Sequence, residues 1–329
     1  ECWDSMVCEM NPFGGNDKIS GLGEKGLISR ICAAFGGAVP PPPFGAGDDC
    51  AVVPSEKFCG RKMLATSDAV IFGRHFDESS EPSLVGRKLV NRNVSDIASM
   101  GGIPLYALAS GILSSGLSVD WLEEFCRGAA EAAQKFGIKI VGGDVARADG
   151  KFFSMHMALI GAAPEKPMLR SGARIGDAIY VSGELGLSFE SGYHLIFEPR
   201  LAEGIFLSQD RNVGACTDIS DGFASDVKNI IPAGACAEIY ESAVPRRFYG
   251  GRRASLKEAL CGGEDYELLF SYNGDCEDFE RRWREKFKTP ISRIGRISTP
   301  LAPEESGQII LAEENRKIFR GGGFDHMAL

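Results

Sequence analysis

Carboxylates beside glycine or a small hydroxyl residue recur at five places: Gly47-Asp48-Asp49, Ser67-Asp68, Ser95-Asp96, Gly142-Gly143-Asp144 and Asp218-Ile219-Ser220-Asp221-Gly222. Most follow an apolar or β-branched run. A carboxylate is costly to bury unless something cationic neutralises it, so several of them at strand ends suggest a shared cation. Hard divalent ions such as Mg²⁺ take oxygen ligands, and they commonly reach a protein through a few carboxylates plus a substrate's phosphates. Phosphate chemistry is therefore the first expectation.

Each patch also has a plainer reading. Asp beside Gly is what turns are made of, so Asp48 and Asp49 read equally well as turn residues. Asp96 has the alternative of facing water on a helix. Asp144, Asp218 and Asp221 end apolar runs at glycine-containing turns, where backbone N–H groups approach phosphate oxygens closely. Asp218 and Asp221 also suit the start of a following helix, with Ser220 at its cap. Arg170 and Arg174 flank a Ser-Gly turn, and arginine grips phosphate bidentately. His75 follows the Asp68 strand by one loop. Familiar nucleotide motifs are missing: the chain has no G-x-x-x-x-G-K-[ST], and Gly45-Ala46-Gly47 lacks the third glycine of a dinucleotide fingerprint. The protein-kinase set and His-Glu-x-x-His are absent too.

The elements that must position these residues alternate between strand and helix. Glu24–Phe35 reads as a first helix, stopped by Gly36-Gly37, and Pro40–Pro43 reads as an extended linker. Short strands follow at Cys50–Val53 and Lys62–Thr66. A helix is expected over Pro82–Met100, with Leu89, Val90, Val94 and Ile97 on its apolar face and Lys88, Arg92, Ser95, Asp96 and Ser99 opposite. Tyr106–Leu113 is a strand, Val119–Phe136 a helix, Ile138–Val141 a strand ending at Gly142, and Phe152–Gly161 a strand. Pro164–Pro167 marks a break in composition. Beyond it come strands at Ala178–Val181, Ala215–Thr217, Tyr266–Phe270 and Ile291–Ile297, with helices at Phe223–Ile231 and Phe279–Phe287. This alternation implies α/β or α+β layering. Gly262-Gly263-Glu264 repeats the Gly-Gly-acid pattern of Gly142-Gly143-Asp144 in the second half.

With 329 residues, two domains are the natural expectation. A net charge of −9 and the lack of a dense basic run give nucleic-acid binding no support. The ten cysteines form no Cys-x-x-Cys pair, and several lie in apolar surroundings (Cys32, Cys126, Cys236), which points to core thiols in a reducing cytoplasm. No stretch is long and apolar enough to span a bilayer. Glu1–Lys18 has no signal-peptide pattern and reads as a frayed extension.

Taken together and in order, the motifs resemble the thiamine-monophosphate kinase family, of the superfamily that also holds aminoimidazole ribonucleotide synthetase. The segments are Gly45–Ala51, Thr66-Ser67-Asp68, Asn93–Gly101, Gly142-Gly143-Asp144, Arg170–Ala173, Asp218–Gly222, Gly262–Leu268 and the closing Gly323-Phe324-Asp325-His326. The resemblance implies a two-domain α/β (α+β) architecture like that of aminoimidazole ribonucleotide synthetase, with mixed sheets covered by helices. Residues 24–163 would bind metal and ATP and dimerise, and 164–329 would complete the ATP and substrate sites. It implies transfer of the γ-phosphoryl of ATP to thiamine monophosphate, directly and in line, assisted by several Mg²⁺ ions and without a general base.

Carried over by position, Asp49, Thr66, Ser67, Asp68, Asp96, Asp144, Asp218 and Asp221 would hold metal. Gly143, Asp144, Arg170 and Ser220 would contact ATP, and His75 and Glu264 the thiamine phosphate. The family places an aromatic just before the closing motif; here Gly321-Gly322-Gly323 stands there, which leaves Phe324 or Phe319 for that role. Gly186–Arg211 matches only through His194, Pro199 and Arg200. The resemblance further implies a cytoplasmic homodimer. The other readings are a superfamily enzyme with a different substrate and a non-catalytic nucleotide- or metal-binding module.

Overall fold

Two mixed sheets, each covered by helices, carry the polar residues described above. The computed structural model describes residues 51–53, 61–114, 116–148, 151–313 and 315–323. These belong to one compact unit, Pro40–Phe324. The expected helix Glu24–Phe35, its glycine stop, the Pro40–Pro43 linker, Asp48, Asp49 and Phe324 lie outside the described residues.

The first sheet has the order β1-β2-β5-β3-β4. Its strands are β1 (Ala51–Val53), β2 (Met63–Ile71), β3 (Ile103–Ser114), β4 (Lys139–Ala148) and β5 (Phe153–Ala162). Neighbours are antiparallel except β3 and β4, which are parallel and joined through helix α2 (Val119–Lys135). Helix α1 (Pro82–Ser99) lies between β2 and β3 in the chain. Proline at its first position suits the unpaired N–H there. Its apolar stripe, Val85, Leu89, Val90, Val94 and Ile97, packs into one core with Leu64, Met157 and Phe125. Gly101 ends it in a left-handed conformation, with the Gly101 and Gly102 N–H groups closing onto Ala98 and Ile97.

The second sheet has the order β14-β13-β8-β12-β6-β11-β7. It comprises β6 (Ala178–Ser182), β7 (Val213–Asp218), β8 (Cys236–Ile239), β11 (Leu268–Tyr272), β12 (Ile291–Ser298), β13 (Ile309–Leu311) and β14 (Lys317–Ile318). The strands β9 (Phe248–Tyr249) and β10 (Arg252–Arg253) form a separate hairpin. The helices are α3 (Tyr193–Ile196), α4 (Leu201–Ser208), α5 (Phe223–Ile230), α6 (Leu256–Cys261) and α7 (Cys276–Lys286). The central strands β6 and β11 are buried on both faces, which is why they read as continuous apolar runs.

Four expectations need correction. β2 runs on to Ile71, so Asp68 is mid-strand, paired with Met157, rather than at a strand end. β4 does not stop at Gly142 but continues through Gly142-Gly143-Asp144 to Ala148. The strand expected from Tyr266 begins at Leu268, because Glu264 and Tyr266 take left-handed backbone angles, φ +63° and +51°. Cys126, expected among apolar neighbours, is exposed on α2.

Candidate active site

The second face of α1 builds the site. Lys88, Arg92, Ser95, Asp96 and Ser99 recur at helical spacing and so share that face. By sequence it is a face for water. In the structure Lys88, Arg92, Ser95 and Ser99 are buried, because the second half of the chain covers them.

Each polar group on that face has a partner. Arg92 pairs with Asp68 at 3.3 Å and donates to the Ala69 carbonyl. The Asn93 side-chain carbonyl accepts the Asp68 N–H at 3.0 Å. The Thr66 hydroxyl donates to Asp96. The Ser95 hydroxyl donates to Asp218, at the buried end of β7, at 2.5 Å. Four of the expected metal ligands, Thr66, Asp68, Asp96 and Asp218, are thus gathered along one helix face.

The remaining expected ligands are placed differently. Alternation along β2 puts Thr66 and Asp68 on the helix side and the exposed Ser67 on the other. Asp68 shares a row across the sheet with Met157, Ala109 and Gly143, so Asp144, one residue on, points to the open face. Three strand spacings, about 14 Å, also separate β2, which carries Asp68, from β4, which carries Asp144. Gly143 itself is dictated by contact, since a Cβ there would lie 1.6 Å from the Ala109 carbonyl oxygen. Among the described residues, Ser67 and Asp144 therefore lie on the opposite face of the first sheet from Thr66 and Asp68. Among the described residues no three His, Cys, Asp or Glu side chains are close enough to share one ion.

The second element is the Gly262–Glu267 loop. Its backbone zips onto the Asp218–Asp221 turn: Glu264 N–H donates to Ser220 O at 2.7 Å, Tyr266 N–H to Ile219 O at 2.8 Å, and Ile219 N–H to Glu267 O at 2.8 Å. Ser220 does not cap the following helix. Gly222 precedes α5 without a side-chain cap, and the Ser220 carbonyl serves the loop instead.

Three carboxylates of this loop each meet a cation of their own. Glu264 binds Lys88 at 2.5 Å, Asp265 binds Arg247 at 2.9 Å, and Glu267 accepts from Arg200 Nε at 2.6 Å. Burial works against the Glu264 carboxylate most strongly. The neighbouring His194 ring and the Lys88 and Arg92 charges outweigh it, holding the group at about 2. For Asp265 burial wins despite Arg247, pushing its pKa up to about 7.

Around this pair of loops lie the other expected residues. His75 is buried, and its Nδ1 accepts the Ile71 N–H at 3.0 Å, so Nε2 carries the proton. Arg170 lies on a segment running beside β7, tied by the Cys216 N–H to the Leu169 carbonyl at 2.9 Å. Asp221 is half-buried, its N–H donating to Asp226 at 3.1 Å. The Gly321–Gly323 stretch passes over this turn so closely that a Cβ on Gly323 would stand 2.0 Å from the Asp221 carbonyl oxygen. That contact explains the glycine of the closing motif, whereas a Cβ on Gly322, just before the motif, would meet nothing within 4 Å, so close packing does not dictate glycine there. Phe319 packs on the core of the second sheet. Beside Gly262 and Gly263 opens a cavity of about 440 Å³, lined also by Phe189, Glu190 and Glu258. Phe189 stacks on His194 with ring centres 4.2 Å apart.

Sequence reasoning did not single out Lys88, Arg92, Arg200, Arg247 or His194 as partners of site carboxylates. For Lys88 the available signal was its place one turn before Arg92 and two before Asp96.

Residues 47–163 match the family described as AIR synthase related protein, N-terminal domain. The chain is 34% identical over 267 residues to a thiamine-monophosphate kinase of Rhodopirellula baltica, covering 77% of this chain and 83% of the relative. It is 31% identical over 306 residues to that of Aquifex aeolicus, covering 85% and 93%. The chain belongs to the thiamine-monophosphate kinase family. Among solved structures, "AaThiL complexed with AMPPCP and TMP" matches with a TM-score of 0.76 at 29% identity, covering 94% of this chain and 99% of that one. The hydrogenase maturation protein HypE in a HypE–HypF complex, at 18% identity and a TM-score of 0.68, shares the fold. In this thiamine-monophosphate kinase family member the α1 face is rich in oxygen donors and the Gly262–Glu267 loop starts beside the 440 Å³ cavity.

Proposed function

We propose that this chain transfers the γ-phosphoryl of ATP to the phosphate of thiamine monophosphate, releasing thiamine diphosphate and ADP. The observation that carries this reading is the row of oxygen donors along α1, Thr66, Asp68, Asp96 and Asp218, beside the Glu264 loop. Donor and acceptor are both anions: ATP carries about four negative charges and the acceptor phosphate about two, so their approach must be screened. The all-oxygen donor set suits Mg²⁺, which keeps several waters and takes one or two carboxylates plus phosphates rather than a full protein cage. Thr66, Asp68, Asp96 and Asp218 would hold it, joined in the same reading by Asp49, Ser67, Asp144 and Asp221. Bound there, Mg²⁺ supplies charge neutralisation of the phosphates.

The chain's own residues do the rest. Arg170 and Ser220, on segments flanking the end of β7, orient ATP together with Gly143 and Asp144. His75 offers its Nε2–H to the acceptor phosphate. Glu264, fixed by Lys88, meets thiamine monophosphate through its position rather than through an unmatched charge, and the adjoining cavity, with Phe189 and Glu190, accommodates the thiamine body; by the resemblance Phe324 is a further substrate contact. An acceptor phosphate is already ionised near neutral pH, so no general base is needed, and positioning carries most of the catalysis.

The proposal extends to assembly. Tyr106, Leu108 and Ile112 on β3 leave large apolar side chains exposed on the open face of the first sheet, and Ile140, Val141 and Val145 on β4 are exposed as well. A second copy covering that face would bring Asp144 and Ser67 into an interior. In this reading residues 24–163 form the metal-, ATP- and dimer-forming part, and 164–329 complete the sites. Among the described residues no helix is long and apolar enough to cross a membrane. Among the described residues, Cys126, Cys216, Cys236, Cys261 and Cys276 form no disulfide, which fits a reducing cytoplasm. Purified chain with ATP, thiamine monophosphate and Mg²⁺ should yield thiamine diphosphate and ADP in equal amounts, and chelation should stop it. ATP binding without product would overturn the assignment.

A further inference from the structure

We infer that Lys88 is a positioning residue for Glu264, a buried strut that fixes the Gly262–Glu267 loop in its substrate-facing form. The inference rests on the substrate role of Glu264 proposed above. Lys88 has no solvent exposure. An ammonium group has three donors, and here each has an acceptor: the His75 carbonyl at 2.8 Å, His194 Nδ1 at 2.8 Å and Glu264 Oε2 at 2.5 Å. The acceptors come from three separate segments, the loop after β2, helix α3 and the loop after α6. One side chain on α1 therefore ties together the two residues expected to meet thiamine monophosphate and the histidine that stacks on cavity-lining Phe189.

Stability alone gives little reason for this arrangement. A buried ion pair is often no better than apolar residues of similar volume, and the neighbouring α1 positions Leu89 and Val85 are apolar. What the strut does supply is constraint. Glu264 holds a left-handed backbone conformation at φ +63°, which a non-glycine residue keeps only where its surroundings over-determine it. Its N–H is taken by Ser220, its carbonyl accepts the Ser188 hydroxyl at 2.7 Å, and its carboxylate is fixed by Lys88. Removing Lys88 frees the side chain and leaves the left-handed backbone held by the Ser220 and Ser188 contacts alone, so that it opens more readily.

The test uses the full chain carrying Lys88→Met, which keeps the length and loses the charge, and Lys88→Arg. Lys88→Met should raise KM for thiamine monophosphate on the order of tenfold to a hundredfold, as for a lost hydrogen bond to a charged group, with KM for ATP within about twofold. Lys88→Arg should recover part of that loss. Hydrogen exchange should quicken at the Glu264 and Tyr266 amides in both variants, with the first sheet unchanged. Equal shifts in both KM values, or no shift with slow loop exchange, would overturn the inference. Should Lys88→Met fail to fold, Lys88→Arg decides by the same two readouts, since one guanidinium cannot match three acceptors arranged around an ammonium. A wild-type chain that makes no thiamine diphosphate, yet whose loop loosens in the variants, would sink the kinase reading and leave the strut standing.

Discussion

Gly142-Gly143-Asp144 and Gly262-Gly263-Glu264 are near copies in sequence and opposites in structure. The first lies inside an edge strand, its carboxylate exposed on an open sheet face and its glycine fitted against a neighbouring carbonyl. The second leads into a loop whose three carboxylates are buried and matched by Lys88, Arg247 and Arg200. A carboxylate with its own protein cation is part of the scaffold, and its charge is already spent. One left open is available to a ligand or metal from outside. The α1 row differs again: Asp96 and Asp218 accept from the Thr66 and Ser95 hydroxyls, and Asp68 shares Arg92 with the Ala69 carbonyl.

The largest effect is expected where that matching is broken. Glu267 is 1% exposed and gripped by Arg200 through two nitrogens, with the Tyr193 and Ser182 hydroxyls completing its contacts. Arg200→Met should strand the carboxylate and cost about 3–5 kcal/mol, read from denaturant unfolding. A loss below about 1 kcal/mol, the scale of an ordinary exposed pair, would mean that the loop does not depend on its cations and that the contrast with Asp144 is only one of exposure.

Much of this frame was legible in the sequence. α1, α2, β5 and β6 follow from apolar spacing and glycine stops, because their burial pattern has a single period. The short elements β8, α6 and β13 were not, since three to six residues set no period. The length of β4 was hidden because glycine normally signals a turn, and only the neighbouring Ala109 carbonyl shows why Gly143 belongs in a strand. The site was legible as a set of acids and much less so as a geometry. Which acid meets which cation depends on contacts far apart in the chain, such as Lys88 with Glu264 and Ser95 with Asp218. No local pattern encodes those pairings.

A smaller effect should separate the loop by pH. The folded pKa of Asp265 stands at about 7 against an ordinary 3.8, chiefly through burial. The native state therefore binds a proton that the unfolded chain has released between those values. The stabilisation is complete below 3.8 and fades as pH rises through 7. Wild-type stability should fall across that window relative to Asp265→Asn, whose amide does not titrate. Parallel melting curves for the two proteins from pH 4 to 7 would show that Asp265 is not the proton-binding group.

Asp144→Asn should change stability least of all. The side chain is exposed, so the melting temperature should stay within about 2 °C. Under the proposed reading turnover should nevertheless fall, on the order of tenfold to a hundredfold for a lost metal or phosphate contact. That combination, intact fold and weakened catalysis, is the signature of an open carboxylate used by a ligand. It also bears on assembly, because Asp144 points away from the α1 row within its own chain. If turnover falls only while the protein has the solution mass of a dimer, the open face works when covered by a second copy. If turnover and mass are both unaffected, Asp144 leaves the site, and the Gly-Gly-acid pattern marks function only where Glu264 carries it.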